Sequence, residues 1–389
     1  MIVIVALLLT VTPTTGTTSR RFRLEHSFID VTLDGKNYAQ TCVADVDRDG
    51  KPEFVLGRQY GELYWYDLDD RGNWTRYPIG GSSPSDVGAC AIDVDGDGWV
   101  DVVTGGAWYR NSRAPRTKPF ERIVFDPELR AVHDVVAADL DGDARAEVIT
   151  MSDAGDLRYY KVPHDPTRPW EAHVIGPAVH AGVAVGDLDG DGDLDVVRSN
   201  VWFENVRGDG TEWAPHDIGP TGATSGWEAH ATRAVCRDLN RDGKLDVVLT
   251  DCEIRGAKIW WARNVDGKGR QWKRHELPTA DDAKRGAYHS LAVADFDGDG
   301  VDEIFTCEME WVAGDRRPRF FLWHNPDGRG QQWVEHVILD ANLGGHEALV
   351  ADFDGDGRLD IVSKPWAPVK ENGLGGKMHV DFLRNVGRH

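Results

Sequence analysis

Seven times along the chain, carboxylates occupy alternate positions of a nine-residue stretch that ends against aliphatic residues. The fullest copy runs from Asp352 through Asp354 and Asp356 to Asp360, with Gly357 after the third carboxylate and Ile361 and Val362 after the last. Alternate acidic side chains on a tight turn converge on one point, which is how a short loop wraps calcium, a hard cation that takes oxygens in flexible geometry. The glycine supplies the left-handed backbone such a turn needs. A unit recurring at this interval constrains the fold before any strand is assigned, because it marks a repeat architecture.

The copies begin 48, 46, 48, 51, 57 and 57 residues apart. Asp93, Asp95, Asp97 and Asp101 keep every feature. So do Asp187, Asp189, Asp191 and Asp195, and so does the set Asp295, Asp297, Asp299 and Glu303. The first copy, Asp45, Asp47 and Asp49, closes with Glu53. The third (Asp139, Asp141, Asp143, Glu147) has Ala144 where glycine belongs, and the fifth (Asp238, Asn240, Asp242, Asp246) has an amide at position 3. Up to seven structural calcium sites are expected, the third and fifth weaker. Acidic surface turns without metal are the bland alternative, and a sevenfold register argues against them.

The formal net charge of −21 looks hostile to nucleic acid and anionic membranes. Yet the seven loops hold 27 of the 65 acidic residues, so much of this charge is ligand, and it says little about partners. No basic stripe supports nucleic-acid binding. Cys42 and Cys90 precede loops in apolar strands and read as buried free thiols. Cys252 and Cys307 follow equivalent strands of neighbouring repeats, which leaves a disulfide open; with Cys236 the count is odd and shows no metal-ligand spacing. Residues 1–19, apolar to Thr10 and then rich in Thr and Pro, read as a signal peptide too short to span a bilayer. The expected location is secreted or periplasmic, where calcium is abundant enough for weak loop sites.

Each repeat reads as four short strands. In the sixth, His289 to Phe296 leads into the loop and Glu303 to Cys307 leaves it. Arg319 to Asn325 is an aromatic third strand, and Gln332 to Leu339 a fourth. Short strands at even spacing between Gly, Asp and Pro predict an all-β, seven-bladed propeller of four-stranded blades over residues 22–386. The fourth strand recurs as Trp170/His173, Trp213/His216, Trp272/His275 and Trp333/His336, so those histidines are architectural. Phe22 to Phe28 is a fourth strand with no predecessors, and Lys377 to Asn385 a third with no successor. The N-terminal strand should therefore complete the last blade and close the ring, removing an open edge.

These acidic repeats resemble the FG-GAP/VCBS repeats of integrin-α-type propellers. The resemblance implies the propeller and calcium, but it covers adhesion heads, lectins and lyases acting on uronate glycans or keto-sugars. Function must then come from the site.

The calcium loops are 1–2 turns and lie on one face of the disc. Length variation falls on the other face, in the 2–3 connections of blades 5 to 7 and in two 4–1 connections. Long loops gathered on a rigid scaffold usually carry function. Inner strands also begin with histidine in five blades, at His133, His180, His230, His289 and His346. These imidazoles should ring the mouth of the central channel, with His180 breaking the even spacing. Around them, Trp108, Trp227, Trp311 and Trp366 offer flat faces for sugar rings. Arg58, Arg198, Arg255 and Lys364 could bind a carboxylate, and Tyr60 and Tyr288 could deliver a proton. A divalent metal held by His230, His289 or His346 with Glu253, Glu308 or Glu347 is conceivable, though no spacing enforces it.

Three readings stay open. One is a lyase or dehydratase acting by β-elimination on a uronate glycan or keto-sugar; another is a lectin; the third is a protein-interaction module, with a monomer expected throughout. The resemblance to propeller lyases implies β-elimination. For this, Arg198 or Arg255 could neutralise the enolate, a histidine could be the base in the order His289, His346, His230 because the longest loops border those blades, and Tyr288 or a second histidine could be the acid.

Overall fold

The spacing of the acidic loops is the spacing of the blades. The computed structural model describes residues 21–219, 232–280, 285–310 and 317–387, and the expected leader, Trp227, His230 and Trp311 lie outside them. The described residues form 28 strands and no helix, so none is long and apolar enough to cross a membrane.

Strand β1 (Leu24–Asp30) comes first. Blade 1 is β2 (Tyr38–Ala44), β3 (Glu53–Arg58), β4 (Leu63–Leu68) and β5 (Trp74–Gly80). Blade 2 is β6 (Cys90–Ile92), β7 (Asp101–Thr104), β8 (Ala107–Arg110) and β9 (Glu121–Val124). Blade 3 is β10 (Val132–Ala138), β11 (Glu147–Ser152), β12 (Asp156–Lys161) and β13 (Glu171–Pro177). Blade 4 is β14 (Val183–Gly186), β15 (Asp195–Arg198), β16 (Val201–Asn205) and β17 (Trp213–Asp217). Blade 5 is β18 (Thr232–Arg237), β19 (Asp246–Asp251), β20 (Ile259–Asn264) and β21 (Trp272–Glu276). Blade 6 is β22 (Tyr288–Ala294), β23 (Glu303–Glu308), β24 (Arg319–His324) and β25 (Val334–Asp340). Blade 7 holds β26 (Glu347–Ala351), β27 (Asp360–Lys364) and β28 (Val380–Asn385).

The seventh sheet runs β26-β27-β28-β1. Strand β1 pairs antiparallel with β28, Leu24 opposite Asn385, so the N-terminal strand closes the ring as its unpartnered sequence required.

Second strands are buried on both faces, as in β11 and β23, and read as continuous apolar runs because each sheet is sandwiched between two others. Fourth strands face solvent; β13 is mostly exposed. The core is correspondingly divided. Seven apolar clusters each join one blade to the next, the last joining Val362, Val380 and Phe382 of blade 7 to Phe54, Leu56 and Tyr66 of blade 1.

Architectural aromatics sit on third strands, where fourth-strand rings cover them across the pair. His173 stacks on Tyr159, His275 on Trp261, and Tyr77 on Trp65, with centroids 4.8, 4.7 and 4.6 Å apart. The fourth-strand histidines are therefore packing groups, as their repeat pattern indicated. Trp108 occupies the same position, opposite Ile123. It is fully buried and its indole donates to the Pro166 carbonyl, so it faces no sugar. All five cysteines are free thiols, Cys252 and Cys307 included.

Candidate functional site

In the acidic loops the first carboxylate organises the turn. Asp187 accepts the N–H groups of Gly190, Asp191 and Gly192 at 2.7, 3.2 and 3.2 Å. The residue after the third carboxylate takes a left-handed φ in every copy, from 68° at Ala144 to 103° at Gly192. The ninth position is a latch. Asp195 accepts the Leu188 N–H at 2.9 Å and the Asn205 N–H at 3.0 Å. Burial, with the neighbouring aspartates, pushes Glu53 up to about 9, Glu303 to about 8 and Asp195 to about 7.

Whether these loops fit calcium is tested by their unused oxygens. Asp45 Oδ1, Asp95 Oδ1, Asp189 Oδ1 and Glu303 Oε1 are buried without a hydrogen-bond partner. Buried acceptors are normally satisfied, and an ion coordinated by oxygen would satisfy these while reversing the upward pKa pressure. The loops thus fit. In the fifth, the Asn240 amide donates to Asp246 at 3.0 Å.

At the other ends of the inner strands, four of the five predicted histidines meet. Successive ring centroids are 3.8 Å apart from His346 to His289, 6.0 Å from His289 to His133, and 4.3 Å from His133 to His180. Local irregularity aims two of them. The pairing of β10 with β11 slips between Val132 and Asp134, and that of β22 with β23 between Tyr288 and Ser290. His133 and His289 are thus the extra residues of bulges, devices that redirect a side chain. His180, despite its uneven spacing, joins the file and is its most exposed member, at 20% of its side chain.

Arg233 ties the inner strands together across the channel. Its guanidinium donates to the His289 carbonyl at 2.8 Å, to Asp134 at 3.2 Å and to Glu347 at 2.5 Å, reaching three other blades. Neither Arg233 nor Asp134 was singled out by sequence; the available signal was two charges of opposite sign inside inner strands that are otherwise apolar. Glu253, from the β19–β20 connection, sets Oε1 3.3 Å from His289 Nε2 and 3.5 Å from His180 Nε2.

The electrostatics divide the file. Burial opposes charge on His180, but Asp153 and Glu253 outweigh it and raise its pKa to about 9. Burial, reinforced by Arg233, takes His289 down to about 4. Burial and the His289 ring hold His346 well below the usual range. Burial works against charge on Glu253, yet its imidazole partners keep it ionised. Trp366 lies 5.4 Å from the His346 ring. A cleft of about 460 Å³, lined by Asp153, Gly155, Ala178, Val179 and His180, opens at the other end of the file.

Several expected site residues lie elsewhere. Tyr288 is fully buried against Phe321 and Trp323, and burial drives its hydroxyl far above the range of a proton donor; in a strand, neighbours of His289 point to the opposite face. Lys364, by contrast, stays beside the file: opposite Glu347 and wholly buried, it donates from Nζ to the Tyr38 carbonyl at 2.5 Å, and its charge adds to burial in lowering the pKa of His289 and His346. Glu308 holds the Gly286 and Arg319 N–H groups at 2.8 and 3.0 Å rather than facing the mouth. Arg198 is mostly buried and donates to the Pro177 carbonyl at 2.6 Å, just before the cleft wall. Arg58 bonds the Lys36 carbonyl at 3.2 Å, while Tyr60 (56% exposed) and Arg255 remain on the surface.

FG-GAP-like repeats match the chain over residues 45–104, 238–306 and 311–363. No curated protein matches it in sequence. Among solved structures it is similar to BBS1N in complex with ARL6DN, soaked with mercury. The TM-score is 0.55 at 10% identity, covering 95% of this chain and 99% of that one. The lead-soaked form of the same complex gives 0.53 at 11% identity, with the same coverage. At this identity the likeness is one of fold alone.

Proposed function

We propose that this seven-bladed propeller of FG-GAP-like repeats is an exported, calcium-stabilised carbohydrate-active protein, a carbon–oxygen lyase working by β-elimination at its histidine-lined mouth on a uronate glycan or keto-sugar. One observation carries the reading: His133, His180, His289 and His346 converge with Glu253 and Arg233 at the end of the channel remote from the acidic loops. Fourteen histidines occur in the chain, and these four come from four different blades, so their meeting does nothing for the packing of any one blade.

β-Elimination needs a base at the carbon α to a carbonyl group, an acid at the leaving oxygen, and positive charge near the developing enolate. His289 is wholly buried, with Nδ1 on the His346 carbonyl and the Nε2 lone pair facing the Glu253 carboxylate rather than the cleft. The base role therefore passes to His346, beside Trp366, whose face would hold a sugar ring. His180, flanked by Asp153 and Glu253 at the cleft, takes the acid role that the buried Tyr288 cannot fill. Arg255, exposed two residues beyond Glu253, would meet the substrate carboxylate.

The test is a screen of acidic polysaccharides for the ultraviolet absorbance of an unsaturated product, repeated on His346→Asn and His180→Asn. Each variant should turn over about a hundredfold more slowly while melting as the parent does. Tight glycan binding without any unsaturated product, in the parent protein, would replace the lyase by a lectin.

A further inference from the structure

Two chemically different cation environments are present. The acidic loops offer oxygen alone. In the mouth, His133, Glu253 and His289 each present one ligand atom, and the three atoms lie within 4.8 Å of one another. The three residues belong to blades 3, 5 and 6, so only the closed ring assembles them.

The hydrogen bonds assign the nitrogen that His289 offers. Its Nδ1 lies 2.5 Å from the His346 carbonyl, which can only accept, and 3.2 Å from Arg233 Nη2, which can only donate. The shorter contact takes the hydrogen, since Arg233 already donates to Glu347 and the His289 carbonyl, and the lone pair then sits on Nε2. A ring N–H fixed on a backbone carbonyl is the arrangement that orients metal-binding histidines. Nε2 then faces Glu253 Oε1 at 3.3 Å: two acceptors opposed in a buried setting, which a cation within reach of both would reconcile. Metal–ligand bonds of about 2.0–2.1 Å at tetrahedral angles put ligand atoms roughly 3.3 Å apart, the separation seen here.

His133 supplies an independent sign. It is 3% exposed, and its Nδ1 has no hydrogen-bond partner although Asp134 Oδ2 lies 3.4 Å away. A buried imidazole short of a partner, one of whose nitrogens lies within 4.8 Å of the two opposed acceptors, points to a missing positive ligand. The charge of Arg233 nearby is balanced by Asp134 and Glu347; the Lys364 ammonium, opposite Glu347, is a second positive group that an ion here would have to tolerate.

We propose that the mouth binds one divalent first-row transition ion of the zinc class, through His133, His289 Nε2 and Glu253, with a further coordination position open toward His180 and the cleft. Two imidazoles and one carboxylate suit such ions, whereas calcium and magnesium prefer oxygen, so the mouth and the loops would sort different metals. The assignment shares the mouth with the elimination reading but does not depend on that chemistry.

The experiment is equilibrium dialysis of the full chain against zinc in a large excess of calcium, with metal counted by atomic emission. Cobalt(II) is substituted in parallel to read the ligand field in its visible spectrum. The parent should retain one zinc per chain and give the intense cobalt bands of low coordination number. His289→Ala, His133→Ala and the isosteric Glu253→Gln should each weaken zinc at least tenfold, while Asp354→Asn in an acidic loop leaves it unchanged. Calcium-dependent melting verifies that each variant is folded; should either alanine variant fail that check, Glu253→Gln decides. No zinc retained by the parent, or zinc bound equally by folded Glu253→Gln, overturns the assignment. Zinc bound as described, with no unsaturated product from any acidic glycan, upholds the metal site and removes the lyase.

Discussion

Two single residues report how tightly the repeat constrains its backbone. Ala144 holds a left-handed φ of 68° at a position filled by glycine in the other six loops, and an L-residue with a Cβ pays about 1–2 kcal/mol there. Ala144→Gly should stabilise the protein by roughly 1 kcal/mol, less the extra entropy glycine brings to the unfolded chain, read as a higher Tm. Asp381 is the second. It is buried between His26 and His379 at 2.8 and 2.7 Å. Burial alone would raise its pKa, but the two imidazoles overturn that and hold it low. A carboxyl lowered on folding adds stability that is present above its unfolded value of about 3.9 and is lost as pH falls through the folded one. Asp381→Asn should therefore cost about 3 kcal/mol at neutral pH, and denaturant titrations should show that deficit shrinking below about pH 4. A constant deficit down to pH 2 would mean the charge contributes nothing.

At the level of the strand, what joins one blade to the next is polar as well as apolar. Asn205, at the end of β16, donates its backbone N–H to Asp195 in its own blade, and its amide donates to the Leu140 carbonyl in the preceding blade's loop at 2.8 Å. Asn111, Asn264, Asn325 and Asn385 reach back in the same way, to Val46, Leu188, Leu239 and Phe296. In the sequence the signal is an asparagine closing the third strand in five blades, fainter than the acidic loops because it is a single residue per repeat. Asn205→Ala should destabilise by about 1–3 kcal/mol, since it strands a buried carbonyl. It should also raise calcium demand in blades 3 and 4, because the latch and the loops share their backbone. Chemical denaturation with and without calcium reads both. The same scale explains the mouth: bulges at His133 and His289 turn side chains that would otherwise face a neighbouring blade.

Ring closure acts on the whole molecule, and so would calcium held by the acidic loops. Without β1, β28 would present a long open edge and the seventh blade would lose Leu24 and Phe22 from its core. Removal of residues 1–30 should leave an aggregating chain, whereas removal of 1–19 should fold, which size-exclusion chromatography distinguishes. Calcium bound only by the folded state adds about 2.7 kcal/mol per site at a hundredfold its Kd. Chelation should then lower the Tm by on the order of ten degrees, and an unmoved melting curve, with no calcium recovered from purified protein, would dispose of the calcium sites.

Repetition is what made the fold legible. Loop spacing, strand order and closure by β1 depend on local patterns written seven times, and a local pattern survives without knowledge of its neighbours. The histidine file was partly legible for the same reason, since topology sends the starts of inner strands to one mouth. Which groups act there was not. Tyr288 sits one residue from His289 and yet turns into the core between blades 5 and 6, because side-chain direction in a strand turns on a single position of register. Arg233 reaches Asp134 across 99 residues and Glu347 across 114, and no pattern in either segment announces the other. The chain alone determined the blades and where their ends converge; only the closed ring decided which side chains meet, because those meetings are set by bulges and by contacts between blades distant in sequence.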